Sequence, residues 1–230
     1  MLRPTIDEDS NPELLEKIVV EKDPFVDKAI ELYEHLMFEK DYARSFVLDW
    51  ENNYQQSSMN VVLTPAQIDF VLQRIITAYS IDDVEHFVTG EYVSNLIQHS
   101  YAAGHNTFTI STKDTKMDYL GSYLKGTSRN KIAITIQGTI GDFFAQKSTW
   151  CDIVVHGDVA DFCGHYSQYC DYFIHGDVAE QYGALSERCT HKTTNLVTYK
   201  NMQHYKKKTK RYKRKNVYLL DNNGIILEHT

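Results

Sequence analysis

The chain has 230 residues, of which 42% are hydrophobic and 24% charged, and its formal net charge is −7. This composition is that of an ordinary globular protein. No segment approaches the ~20 consecutive apolar residues that a membrane-spanning helix needs, and the acidic N-terminus lacks the apolar core of a secretion signal. We therefore expect a cytoplasmic protein without a membrane partner, whose four cysteines are free thiols.

The first half of the sequence is predicted to be helical. All four prolines lie in its first 65 residues, several of them directly after a residue suited to cap a helix. Apolar residues then recur at helical spacing. The predicted helices run from Pro12 to about Val20, from Pro24 to about Phe38, from Asp41 to Glu51, from Pro65 to about Tyr79 and from Glu91 to Ala103. Gln55 to Ser58 is interpreted as a linker, and Gly104 ends the last helix.

A 19-residue repeat follows the helical region. The first repeat is Ile132–Trp150, the second is Cys151–Tyr169 and the third is Cys170–Arg188, and the last two are identical at nine of nineteen positions. A glycine follows the β-branched run of each repeat (Gly138, Gly157, Gly176), where a strand should meet a turn. A unit this short cannot bury its own apolar face, so the repeats are predicted to stack.

Alternation within each run assigns the two faces of the predicted strands. The more uniformly apolar parity should face inward, and it holds Ile132/Cys151/Cys170, Ile134/Ile153/Tyr172 and Ile136/Val155/Ile174. The other parity should face outward, and it holds Ala133/Asp152/Asp171, Thr135/Val154/Phe173 and Gln137/His156/His175. Small residues mark further corners at Ala145/Gly164/Gly183 and Ser148/Ser167/Ser186.

At these residues the sequence resembles the GXGXG β-helix domain, which forms the C-terminal part of the large chain of glutamate synthase and recurs in formylmethanofuran dehydrogenase. The shared phrase is a β-branched run, a glycine, small or apolar residues with an acid, and then an aromatic-x-Gly. The resemblance covers about residues 108–196. It departs at the second glycine, which is Gly141 in the first repeat but Ala160 and Ala179 in the next two. It implies a right-handed β-helix with a largely structural role, catalysis being housed in other domains or subunits.

The predicted fold class is therefore α+β, with three parts. Residues 1–105 form a helical region whose last helix caps the solenoid, and we recognise no family there. Residues 106–199 form the short right-handed parallel β-helix. Residues 200–230 hold a basic segment and a β-hairpin turning at Asn222-Asn223-Gly224.

Two ladders of potentially reactive side chains arise from the repeat. Cys151, Cys170 and Cys189 share the inward phase, so we interpret them as a core ladder of small apolar groups rather than a metal or redox site. No cysteine pair has the spacing of a zinc site. His156 and His175 share an outward phase and are weak metal candidates, needing a third ligand from Asp158, Asp177 or His165. No cofactor is expected.

The outward positions also form a candidate partner face. Its members are Thr135, Val154, Phe173, Gln137, His156 and His175. An outer face that carries valine and phenylalanine usually packs on something. The N-terminal helices, a partner protein and a second copy of the chain all remain candidates for covering it.

A basic run follows the repeats, with eight basic residues among ten. They are Lys206, Lys207, Lys208, Lys210, Arg211, Lys213, Arg214 and Lys215. Such a run suits a solvated segment, an acidic partner, the chain's own acidic N-terminal half, or a nucleic-acid backbone. No recognised nucleic-acid-binding fold surrounds it.

Catalytic motifs are missing from the sequence: there is no GxSxG, P-loop, GxGxxG at a strand–helix junction or HExxH. The sequence therefore favours a non-catalytic assembly module that binds another subunit or itself. Two alternatives remain open. One is an accessory subunit of a glutamate-synthase-like or formylmethanofuran-dehydrogenase-like complex, and the other is a nucleic-acid-associated protein that uses the basic run.

Overall fold

The fold is taken from a computed structural model. It describes residues 23–38, 61–79, 83–113, 115–208 and 216–229, with the backbone alone at 38, 83–85 and 205–208. The helices predicted at Pro12–Val20 and Asp41–Glu51, and the linker at Gln55–Ser58, lie outside the described residues. Within the described residues the protein is a mixed α/β structure of four helices and one seven-stranded, mostly parallel sheet.

Three helices precede the sheet: α1 (Pro24–Phe38), α2 (Pro65–Ala78) and α3 (Asp83–Ala102). The start of α2 follows from its sequence, because the Thr64 hydroxyl accepts the Gln67 N–H while the Gln67 side chain accepts the Thr64 N–H. No described helix is long and apolar enough to cross a membrane.

Helix α3 begins eight residues before the predicted start at Glu91. A glycine inside a helix normally disfavours it, and Gly90 lies inside α3. Tertiary packing explains why it is there: a Cβ on Gly90 would lie 1.9 Å from the backbone oxygen of Asp118. The glycine therefore lets α3 approach the segment that leads into the repeats, residues 107–131, which we call the leading segment.

The sheet follows the chain order from β1 to β7. Strands β1 to β6 pair in parallel, and β7 returns antiparallel to β6. The predicted C-terminal hairpin is present as β6 and β7, and β6 also pairs with β5. The strands are β1 (Thr107–Lys113), β2 (Ile132–Gly138), β3 (Cys151–Val155), β4 (Asp171–Ile174), β5 (Thr190–Thr193), β6 (Asn216–Leu220) and β7 (Ile226–His229).

Successive repeats pair at equivalent residues in three separate places. In the sheet, Ile132 pairs with Cys151 and Asp152 with Asp171. A second stack of parallel bridges joins Ile140, Val159 and Val178. A third joins Thr149, Gln168 and Glu187. The register of 19 residues predicted from the sequence is therefore the register of the backbone pairing.

The inward parity predicted from the sequence is buried. Its nine members are at most 2% exposed, and they belong to one continuous core that also includes residues of α1, α2 and α3. The outward parity is half-buried or exposed. The phase of the apolar residues thus fixes which face of the sheet is covered.

The repeated glycines at strand ends are required by close packing of the backbone. A Cβ on Gly157 would lie 2.3 Å from the Gly138 oxygen, and one on Gly176 would lie 2.4 Å from the Gly157 oxygen. Gly138 meets the Lys113 oxygen in the same way. Each glycine therefore sits where adjacent repeats approach too closely for a side chain.

A turn with alternating backbone conformation lies between the second and third stacks. In each repeat, every second residue of this turn has a positive φ, a conformation unfavourable for any residue but glycine. The predicted small-residue corner is the middle position, where Ala145, Gly164 and Gly183 have φ of 53°, 66° and 58°. Hydrogen bonds between turns offset the strain: the Phe143 N–H donates to the Asp161 oxygen, and Gly164 donates to Phe144.

The prediction that all helices are N-terminal is wrong, because α4 (Leu196–Lys208) lies between β5 and β6. The Asn195 side chain caps it by accepting the N–H groups of Val197 and Thr198. Tyr199 and Met202 are buried in the common core. Since β5 and β6 are parallel, the chain needs a crossover between them, and α4 supplies it.

Two helices lie against the start of the sheet. The Asp69 carboxylate of α2 accepts the Ser111 N–H of β1, and the Gln73 amide donates to the Ser111 oxygen. Helix α3 contacts the leading segment, where its Ser94 hydroxyl accepts the Gly121 N–H. The capping role predicted for the last N-terminal helix remains a prediction, and α2 is the helix that hydrogen-bonds to the β1 strand.

Candidate interaction surface

The outer face of strands β2 to β4 carries the candidate partner residues in three rows. The strand register places Thr135, Val154 and Phe173 side by side, and continues the row to Lys192 and Tyr218 on β5 and β6. The described helices pack mainly on β1, β5 and β6. In the middle of this face, on β3 and β4, Val154 and Phe173 are half-buried.

The first row contains two acidic residues, and one lysine contacts both of them. Asp152 and Asp171 are directly paired on β3 and β4, so their charges repel. The Lys131 ammonium lies 2.7 Å from Asp152 Oδ1 and 2.5 Å from Asp171 Oδ2. Burial raises the pKa of Asp171, but the hydrogen bonds from Lys131 and Thr190 more than offset this and hold that pKa below its ordinary value. Lys131 therefore offsets one of the two carboxylate charges at the edge of the face.

The third row ends in a pair of stacked imidazoles. The His156 and His175 rings lie 4.7 Å apart between centroids, with an interplanar angle of 17°, and Phe173 packs 4.3 Å from His175. Burial, together with the neighbouring His156, lowers the pKa of His175. The pair is thus an aromatic patch that continues the apolar middle row. Its His175 imidazole is uncharged at neutral pH. Among the described residues no group of three His, Cys, Asp or Glu side chains could hold a metal ion.

The cysteine ladder lies in the core, away from this face. All four cysteines, Cys163 among them, are free and buried. Burial raises the pKa of the Cys163 thiol, and a hydrogen bond from the Cys151 thiol does the same for Cys170. A nucleophilic cysteine needs a lowered pKa and access. These thiols are therefore unsuited to catalysis.

Sequence reasoning missed two ladders of carboxylates that tie the repeats together. The Asp118 carboxylate accepts the Asp142 N–H, and Asp142 in turn accepts the Asp161 N–H. The Asp158 carboxylate accepts the Asp177 N–H in the same way. The signal was present, because acids recur at equivalent positions of the repeats. Asp158 and Asp177 border an open groove of about 280 Å³, lined otherwise by Lys116, Thr139, Ile140, Val159, Ala160, Val178 and Ala179.

A buried acid, Glu91 on α3, was also missed. Its side chain is 2% exposed, and its Oε2 atom has no hydrogen-bond partner among the described residues. Burial raises the pKa of Glu91 to about 8. It also adds to the raised pKa of Tyr119, which burial chiefly causes. A single buried acid on one helix leaves no repeating signal in the sequence.

The basic run lies at the limit of what the structure describes. Lys206, Lys207 and Lys208 belong to the last turn of α4, where the backbone alone is described. Lys210, Arg211, Lys213, Arg214 and Lys215 lie outside the described residues. The nucleic-acid hypothesis stays a prediction from the sequence.

Comparison with known proteins finds no matching family model, no matching curated protein and no matching solved structure. The resemblance to the GXGXG domain therefore stays a prediction based on the repeat residues.

Proposed function

We propose that this chain is a non-catalytic assembly module, in which a short right-handed parallel β-helix presents the outer face of β2 to β4 to another protein. Three observations support the β-helix. Equivalent residues of successive repeats pair in parallel at three places, the side chains between them are buried, and the glycines at the strand ends have no room for a side chain. Stacking of short units around a shared core is the logic of such folds.

The observation that carries the interaction proposal is the half-buried apolar row on the outer face of β3 and β4, strands on which none of the described helices mainly packs. Val154 and Phe173 stand next to each other there, and the His156–His175 stack extends the patch. Aromatic residues are enriched at the buried centre of protein interfaces, where a few residues carry most of the binding energy. The Asp152–Asp171 pair, bridged by Lys131, supplies a polar rim at one edge.

The test is affinity purification of the tagged full chain from its own host at low salt, followed by mass spectrometry and an absorbance ratio at 260 and 280 nm. Phe173→Asp is the informative variant, because it removes the aromatic ring and places a carboxylate directly opposite Lys192, a favourable cross-strand pair. Tyr166→Asp is the matched control, since Tyr166 is 46% exposed and lies in a turn rather than on the sheet. The melting temperatures of both variants report whether they fold.

A stoichiometric protein that is retained by the wild type and by Tyr166→Asp, but lost by Phe173→Asp, supports the proposal. Recovery of the same protein by all three forms would move the interaction to another surface. Recovery of nucleic acid without a stoichiometric protein would overturn the proposal in favour of the basic run. A flavin or iron–sulfur protein among those retained would identify the assembly as one resembling the glutamate synthase or formylmethanofuran dehydrogenase complexes.

A further inference from the structure

Two histidines are stacked in the third row of the outer face. The His156 and His175 rings are nearly parallel, with 4.7 Å between their centroids, and the Phe173 ring of the apolar row lies 4.3 Å from the His175 ring. The strand register brings the two histidines together, because they directly follow the paired residues Val155 and Ile174 at the ends of β3 and β4. The two imidazoles therefore border the apolar row as one unit.

No acidic side chain contacts this stack. In the part of the chain that the structure describes, neither imidazole forms a hydrogen bond or an ion pair with a carboxylate. The acids nearest along the chain, Asp158 and Asp177, are hydrogen-bonded elsewhere. The Asp158 carboxylate accepts the Asp177 N–H, and the Asp177 carboxylate accepts the Asn195 amide. A proton on either ring would therefore have no contacting counter-charge.

The elements that flank the stack supply no acid either. The register places neutral Gln137 before the pair and neutral Thr194 after it. The β5 residue next to Phe173 is Lys192, a cation, and α4, which packs on β5 and β6, contains no acidic residue. Burial lowers the pKa of His175, and the neighbouring His156 lowers that pKa further, because two like charges at this distance repel.

We propose that the His156–His175 stack is a pH switch on the candidate partner face. The face binds its protein partner while both imidazoles are neutral, and it releases the partner when they gain protons in mildly acidic solution. This inference rests on the proposed function, because it concerns the same face. A partner that covers the stack removes water from both rings, so a protonated ring must lose its proton on binding.

The size of the effect follows from the ordinary titration of imidazole. A ring with the ordinary pKa of about 6.5 is about nine-tenths protonated at about pH 5.5. If that ring must lose its proton on binding, the affinity falls about tenfold at this pH. We therefore expect at least about a tenfold loss of affinity between about pH 7.5 and about pH 5.5.

The test measures the affinity of the tagged full chain, at these two pH values, for the stoichiometric protein that it retains at the higher pH. A double variant, His156→Phe with His175→Phe, keeps two stacked rings that cannot gain protons, so its affinity should be equal at both pH values. The fold already stacks such a pair, since the Phe143 and Phe162 centroids are 4.7 Å apart. His105→Phe is the matched control, because His105 is half-buried before β1, at the opposite end of the strands. It should behave as the wild type does.

A second measurement needs no partner. Nuclear magnetic resonance titration of the histidine ring protons, with the His175 signal identified by its loss in His175→Phe, gives the pKa of His175 in the full chain. That pKa should lie below the ordinary value of 6.5. It should rise in His156→Phe, which keeps the ring contact and removes the neighbouring charge, and it should not change in His105→Phe.

The outcomes separate the switch from the proposed function. Equal wild-type affinity at both pH values overturns the switch and leaves the proposed function standing. A loss of affinity that the double variant shares, while melting temperatures show every form to be folded, overturns the switch as well, as does a His175 pKa at or above the ordinary value. If the wild type retains no protein at either pH, the proposed function and the switch both fail.

Discussion

Replacing Glu91 with glutamine should stabilise the protein at neutral pH, by an amount that depends on pH in a defined way. The carboxyl is 2% exposed and burial raises its pKa to about 8, against an ordinary value of 4.5. Below pH 4.5 both the folded and unfolded states hold the proton, and burial of the acid has no ionisation cost. As the pH rises towards 8 the unfolded state ionises first, so the free energy of unfolding falls with pH and then levels off.

The size of the effect follows from the difference in pKa. Over about 2.5 pH units below pH 7, the unfolded carboxyl is ionised whereas the folded carboxyl keeps its proton. This difference lowers the free energy of unfolding at pH 7 by about 3 kcal/mol. Glu91→Gln keeps the shape of the side chain and removes the ionisation. We therefore expect the free energy of unfolding of the variant to exceed that of the wild type by about 3 kcal/mol at pH 7. The two values should match near pH 4.

Urea unfolding followed by circular dichroism, from pH 4 to pH 9, measures this difference. Glu180→Gln is the control, because it makes the same chemical change at an exposed acid of the third repeat. If wild type and Glu91→Gln lose stability in parallel as the pH rises, Glu91 is ionised and solvated in the folded protein. Helix α3 would then not pack closely on the leading segment around this carboxyl.

Three further predictions concern the repeats and the residues that border them. Gly157→Ala should lower the free energy of unfolding by at least about 2 kcal/mol, since its Cβ would lie 2.3 Å from a backbone oxygen; Gly224→Ala, whose Cβ would meet nothing within 4 Å, should cost about 1 kcal/mol by urea unfolding. Lys131→Met should cost about 1 kcal/mol in low salt and less in high salt, because it leaves two paired aspartates unneutralised; equal losses at both salt concentrations would contradict this. The four buried cysteines should be unreactive towards a thiol reagent in the native protein and all react after denaturation, whereas rapid native labelling would contradict the core assignment.

The parts of the fold that repeat could be predicted from the sequence. Equivalent residues of stacked units occupy the same environment. One chain therefore shows several examples of the residue types that each position accepts. That is why the register of Ile132, Cys151 and Cys170, and the direction in which each side chain points, could be assigned without a structure. The glycines at strand ends were located for the same reason, although only the structure shows that adjacent backbones exclude a Cβ.

The parts that depend on a single contact could not be predicted. The helix was predicted to start at Glu91, but the approach of α3 to Asp118 requires a glycine, Gly90, inside the helix. The β-helix was predicted to run to residue 199, but α4 begins at Leu196, and its start depends on the Asn195 cap. Bulky residues such as Phe143 and Phe162 adopt positive φ, against their intrinsic preference, because hydrogen bonds and ring stacking between repeats hold them there.

The most direct test of the assembly role is hydroxyl-radical footprinting of the tagged chain with and without the protein it retains. If the partner binds the outer face of β2 to β4, we expect Phe173, His156 and His175 to become protected in the complex. Tyr166, which is exposed in a turn, should react equally in both states. Unchanged reactivity of the three face residues, with protection appearing at the turns, would show that the partner binds elsewhere and would contradict the proposed function.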